Sequence, residues 1–514
     1  MFRLVWRIKN SYNYGMTVLI KNALIFDGSG KPPFKSDIFI NHQRINRLGN
    51  FPHQSADKVI DARGTITTPG FIDVNGDADH YLTLFSDPVQ GNLLRKGITT
   101  IIGGNTGASL APLVDGSLIS IRKWGDSSPV NVNWRSVLEF LNIIDRRKLG
   151  VNFGTLIGHS TIRRAIVGED LRDLTEKEFK VFNYVLEKGL KEGAFGFSTG
   201  LSYVHSHNVS YWELEGLAKT VARFKGVYST QLRNYSTGLA ASVNETLNIA
   251  KNTGVNVEIN RFQPLKGFEK DYLEAVALIE KEKMRAHVNF DVCPAEANLV
   301  EIYTLLPEWA RNGSLEVMLE NITTANTRER ILNFLSNSKI DDLIIAKVPS
   351  FLRFLIGKSL KQFSEDQNMG LAETLLKLME LTKLKAELWQ KNIDPQALRQ
   401  IMISEDAIIA SEGAMDFLNL VQKLRRSSEV GAPTEASGEN LVSLEKAVVK
   451  ATSLPARKFN IKERGLITEG YFADITIIRD GQPSEVLVNG SIALENGEIK
   501  GALAGKILRH IQKI

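Results

Sequence analysis

AFGFSTG (194–200), VYSTQLR (227–233) and NVEINRF (256–262) are three short apolar runs, and the stretches between them have helical periodicity. LTEKEFKVFNYVLEKGLKEG precedes the first run and LAASVNETLNIAKNTG separates the second from the third. Nearly continuous apolar strands alternating with amphipathic helices read as a parallel sheet covered on its outer face. The same unit continues in both directions. GFIDV (70–74), ITTIIGG (98–104) and VNFGTLIGH (151–159) come before, and MRAHVNFDV (284–292) and AIIASEG (407–413) follow. Eight strand–helix repeats predict a closed (β/α)₈ TIM-type barrel of the α/β class over residues 69–453. The gap between the seventh and eighth strands is far longer than one helix, and MGLAETLLKLMELTKLKAELW (369–389) lies in it. A helical insertion is expected over about residues 300–405.

The two chain ends are different in style. TVLIKNALIFDGSG, SDIFINHQRINRLG and DKVIDARGTITTPG near the start resemble ERGLITEGYFADITIIRD and EVLVNGSIALENGEIKG near the end. Short strands punctuated by Gly and Asn turns predict a composite β-sandwich from residues 17–68 and 454–505. Residues 1–15 lack the long apolar core of a signal peptide and read as an extension or a misplaced start.

The chain has 514 residues, with 63 Lys plus Arg against 58 Asp plus Glu. The net charge of +5 is small and dispersed, so nothing favours nucleic acid as a partner. No apolar run reaches membrane-spanning length, so no membrane partner is expected. The single cysteine, Cys293, excludes an intramolecular disulfide and a Cys-rich metal centre, and the cytoplasm is the expected compartment. A small-molecule ligand and self-association both stay open.

Beyond the strands, PGFIDVNGDAD (69–79) resembles the PGFID-H-x-H signature of the amidohydrolases, and GITTIIGGNTGASLAPL resembles the GNCG-SLAP segment of N-acyl-D-amino-acid deacylases. LIGHSTIRRAIVG, EGAFGFSTGLSY, DVCPAEANLVEIYTLLPEWA and KATSLPARKFNIKERGLITEGYFAD follow the same family in order. The resemblance to this D-aminoacylase-like branch implies a zinc hydrolase acting on carbon–nitrogen bonds other than peptide bonds. In such chemistry zinc lowers the pKa of bound water to about 7 and polarises the amide carbonyl.

The family's ligand positions, however, carry other side chains. The H-x-H pair falls on Asn75 and Asp77, the cysteine on Thr106 and the strand-five histidine on Gln231. The strand-six histidine falls on Arg261, or on Phe262 one register away, and the strand-eight aspartate becomes Glu412. Amides are poor zinc ligands, and a guanidinium has no lone pair to give. No cofactor is therefore expected, although the family would use zinc.

Three readings follow. One is a catalytically degenerate protein with a retained pocket. The second is a hydrolase rebuilt around a hard divalent cation on Asn75, Asp77, Asp79 and Glu412. The third is metal-free acid–base chemistry by Asp77 and Glu412. The resemblance also places His159, Arg163, Tyr203 and Arg233 around the pocket. Arg261 is expected to bridge Asp77 and Glu412 in place of a metal. His80 reads as loop polarity, and His205-x-His207 as an incomplete metal pair. Ser411 has no triad to serve, and GGNTG reads as a tight turn bringing backbone close to the pocket.

Overall fold

The computed structural model describes residues 16–122, 124, 130–311, 315–410 and 442–510. The barrel strands are Phe71–Asp73, Ile98–Gly103, Asn152–Thr155 continuing as Ile157–Gly158, Gly196–Gly200, Val227–Gln231, Asn256–Ile259, Val288–Val292 and Ala407–Ile409. All pairings between them are parallel, and the third strand bends between its two neighbours by pairing first with the second and then with the fourth. Val257, Ile259, Val288, Phe290 and Val292 meet the surrounding helices, while Ile72, Ile102, Leu156, Phe195 and Ile408 fill the barrel with Phe459 and Ile461. The eight strands read from the sequence are all present among the described residues, and the protein is a TIM-type α/β barrel with a β-domain.

That β-domain is one nine-stranded sheet drawn from both ends of the chain. Ile475–Arg479 pairs antiparallel with Ile66–Pro69, joining the late strands to the early ones. Thr17–Ile25 pairs with three strands, so the sheet branches and folds over a core of Val18, Ile20, Ile38, Ile475 and Leu487. Not all of 454–505 belongs to this sheet. Ser453–Lys458 is a helix against the base of the barrel, and Phe153 exchanges backbone hydrogen bonds with Lys506 and Leu508 beside the third strand.

The junction between barrel and sheet is polar and buried. Arg464 pairs with Asp474, and Asn152 donates to Asp474 at 3.0 Å. Asn489 joins both groups, accepting from Arg464 at 2.7 Å and donating to Asn152 at 2.8 Å.

The insertion departs from expectation: it is mixed α/β rather than helical. Asn298–Glu301, Glu387–Gln390 and Leu343–Lys347 form a three-stranded antiparallel sheet. The apolar run that begins at Met369 is therefore split. Its helix, Leu371–Thr382, ends at Lys383 and Leu384, both at positive φ, and ELWQ then runs as a strand. Short strands of four or five residues carry too little periodicity to stand out beside helices. The insertion buries its own core, which includes Ile345, Leu375, Leu376 and Leu388. No helix of the described residues is long and apolar enough to cross a membrane.

Candidate active site at the barrel mouth

Asn75 and Asp77 follow the first strand, Thr106 the second and Arg261 the sixth, and Gln231 ends the fifth. They thus lie at the C-terminal ends of the strands, where barrel enzymes place their chemistry. A buried network holds this rim together. Asn105 donates to the carbonyls of Val74 and Ile102, both at 2.9 Å. Ser229 donates to Asn260 at 2.7 Å, and Asn260 donates to Asp291 at 2.9 Å. The Arg261 backbone N–H donates to the other Asp291 oxygen at 2.9 Å.

GGNTG is the tight turn expected. Gly104 has φ 76°, and a side chain there would collide with the Leu156 carbonyl. Thr106 sits at φ 53° and Arg261 at φ 54°, left-handed backbone that a β-branched residue such as Thr106 adopts at a cost. Asp79 accepts the Gly104 N–H at 2.7 Å, while its other carboxyl oxygen and the Thr106 hydroxyl are buried without a hydrogen-bond partner. Burial pushes the Asp79 carboxyl above its usual range. Deeper in the sixth strand, Glu258 is fully buried and neither of its oxygens is hydrogen-bonded. Burial, reinforced by Asp291 and Asp73, raises it well above the ordinary carboxylate value, which favours the neutral acid.

The insertion completes the rim. Glu301 and Glu387 face each other across its sheet, and both are buried. Lys347 lies 3.2 Å from Glu387 and 3.9 Å from Asp77, with its ammonium 3.4 Å from the centre of the Tyr81 ring. Tyr81 donates to Glu387, and Tyr203 donates to Glu301 at 2.8 Å. Trp124 also donates to Glu301, at 3.1 Å, and stacks on His80 with ring centroids 4.2 Å apart. His80 is therefore a buried structural group rather than loop surface; its Nε2 lies 3.1 Å from the Ala108 carbonyl. Burial and Glu301 push the Tyr203 phenol well above its usual value, and Arg261 opposes that rise.

Several expectations change. Asp77 pairs with Lys347 at 3.9 Å, and the Glu412 end of the expected Arg261 bridge lies outside the described residues. Glu412 and Ser411 lie outside the described residues. His159 and Arg163 face the helical shell instead of the mouth. His159 Nε2 lies 2.7 Å from the buried Glu213, and Arg163 binds the carbonyls of Asp170 and Arg172. Arg233 likewise turns outward, holding Glu245 at 2.9 Å and the carbonyls of His207 and Val209. His205 pairs with Glu169 at 2.7 Å, whereas His207 meets the Leu201 carbonyl. Burial raises the Glu169 carboxyl, but His205 and Arg164 bring it down to about 2.

A profile of the amidohydrolase family matches residues 390–493. The D-aminoacylase of Alcaligenes xylosoxydans xylosoxydans is 24% identical over 96% of this chain and 97% of its own length. The N-acyl-D-glutamate deacylase of that organism is 25% identical over 90% and 87%. Over nearly its whole length the chain is similar to the D-aminoacylase-like amidohydrolases. Among solved structures, the Bordetella bronchiseptica N-acyl-D-glutamate deacylase, complexed with zinc and a phosphonate inhibitor, superposes with TM-score 0.77. It is 23% identical and covers 96% of this chain and 99% of its own.

The described residues of this mouth do not fit a zinc ion. The Gln231 amide oxygen accepts from Ser202 at 3.0 Å, and Phe262 is sealed between Tyr272 and Phe290 with ring centroids 5.0 Å away. Among the described residues, no three His, Cys, Asp or Glu side chains converge as metal ligands. Glu387 and Lys347 had no motif to mark them. Their one signal was the length of the insertion, which had to cover something.

Proposed function

We propose that this D-aminoacylase-like chain retains a ligand pocket at the barrel mouth and has lost zinc-dependent hydrolysis. One observation carries the reading: the Lys347 ammonium stands beside Asp77, at a position that the resemblance assigns to a metal ligand. A fixed cation there repels an incoming divalent ion and neutralises the carboxylate that would have held it. The Arg261 cation and the Tyr203 and Trp124 rings suit a small carboxylate carrying an apolar group, and an N-acyl-D-amino acid is such a molecule.

The test combines metal analysis of the purified protein with calorimetric titration of N-acetyl-D-glutamate and N-acetyl-D-leucine. Saturable binding without product, in protein holding substoichiometric metal, is the expected result. Stoichiometric metal with release of acetate overturns the proposal in favour of a rebuilt hydrolase. Folded protein that binds neither compound overturns the retained pocket.

A further inference from the structure

A second cavity, of about 570 Å³, lies at the opposite end of the barrel, beneath the N-terminal ends of strands six to eight. The helices Leu444–Ala451 and Ser453–Lys458 and the turn at Ser29 and Gly30 complete its walls. Lys283, Lys446, Lys450, Arg457 and Lys458 line it, against two acids, Glu405 and Asp406. Lys283 pairs with both acids, at 3.5 and 3.4 Å. Among the described residues, none of the other four cations forms an ion pair.

Uncharged acceptors orient three of them, Lys450, Lys458 and Arg457. Lys450, only 4% exposed, donates to the carbonyls of Ser404 and Ala407. Lys458, 8% exposed, donates to the His287 carbonyl at 3.0 Å, and Arg457 donates to Ser453 at 3.1 Å. An ammonium has three donors and a guanidinium five, so N–H groups are left over at each. Buried charge without a counter-ion is costly, and an anion entering the cavity removes that cost.

We propose that this basal cavity binds a small phosphate-bearing ligand, either inorganic phosphate or a phosphomonoester. Two buried ammonium groups supply the charge for a dianion. The exposed Arg457 adds a planar fork suited to phosphate oxygens, and Lys446 stands on the same helix face as Lys450. The volume falls within the range of small-molecule sites and exceeds the needs of a bare ion, leaving room for an organic group. This site is independent of the barrel mouth.

Protonation supports the assignment. Burial pushes Lys450 down to about 8, with Asp406 and Glu405 opposing and Lys446 and Lys283 reinforcing the shift. Burial brings Lys458 to about 8 as well, opposed by Glu258 and Asp406. Lysine is cationic below its pKa, so anion affinity falls as pH rises through 8. Sulfate isolates this effect because its own charge is constant across the range.

The experiment titrates the full chain with sulfate, inorganic phosphate and phenyl phosphate at constant ionic strength, at pH 7 and pH 9.5. Saturable binding is expected at pH 7, with at least a tenfold loss of sulfate affinity at pH 9.5. The double variant K446Q/R457Q changes two exposed side chains and should fold as the parent does. It is expected to weaken phosphate at least tenfold while leaving the anion-free melting temperature within about 2 °C. Tighter phenyl phosphate than phosphate identifies the ligand as a phosphomonoester, and the reverse identifies free phosphate. Absence of saturable binding at pH 7, or equal affinity in the double variant, overturns the proposal.

Discussion

Lys347 brings a positive charge to a rim that gathers Asp77, Glu301 and Glu387. Burial raises the Glu387 carboxyl above its usual range, and Lys347 is the strongest influence holding it down. Lys347→Met should therefore raise it further. A carboxylate whose folded pKa exceeds its unfolded value favours folding at low pH and costs stability as pH rises through the folded pKa. The variant's deficit should accordingly be small near pH 4.5 and grow to about 1–2 kcal/mol by pH 8, since the lysine side chain is 40% exposed and the pair partly screened. Urea melts across that range are the check, and a deficit independent of pH would refute the argument. At this scale the sequence is informative where a residue occupies a family position. Asn75, Thr106 and Gln231 could be placed because strand ends fix their location whatever the side chain. Lys347 and Glu387 could not, because they meet Asp77 only after the insertion has folded back over the mouth. His159 and Arg163 were placed on the correct segment, but the partner Glu213, which draws His159 into the shell, lies on a later helix and could not be read beside them.

At the scale of elements, the barrel strands were legible because each is an apolar run flanked by helices and long enough to be buried. The insertion strands were not. ELWQ pairs with both NLVE and LIIAK, and its central position comes from those pairings rather than from its own pattern. Because, among the described residues, the insertion core shares no buried side chain with the barrel core, it should behave as a separate cooperative unit. Leu388, fully buried in that core, tests this. Leu388→Ala should cost about 2–5 kcal/mol of insertion stability. Hydrogen exchange is expected to quicken at Leu343–Lys347 and Leu371–Thr382 while Val227–Gln231 keeps its protection. Equal acceleration in the barrel strands would mean that the two cores unfold together.

For the whole molecule, the pairing of the two chain ends makes the β-domain and the barrel interdependent. The early strands cannot complete their sheet without Ile475–Arg479, and the barrel's third strand leans on the tail through Phe153. Between them lies the buried cluster of Asn152, Arg464, Asp474 and Asn489. Its logic is asymmetric. The Arg464–Asp474 pair is 2% and 3% exposed, so its net contribution is modest once desolvation is counted, yet removing one partner strands the other in a dry interior. Asp474→Ala leaves a buried guanidinium and also deprives the Asn152 amide and the Asn489 backbone N–H of their acceptor. A loss of about 3–5 kcal/mol is expected. Because the cluster touches both units, β-domain and barrel should fail together in calorimetry, as one transition at lower temperature. Asp474→Asn keeps an acceptor and should recover part of the loss, which separates the hydrogen bonds from the charge. If Asp474→Ala instead melts in two steps, with exchange quickening in Thr17–Ile25 while Val227–Gln231 stays protected, the cluster only fastens the sheet and the barrel stands without it.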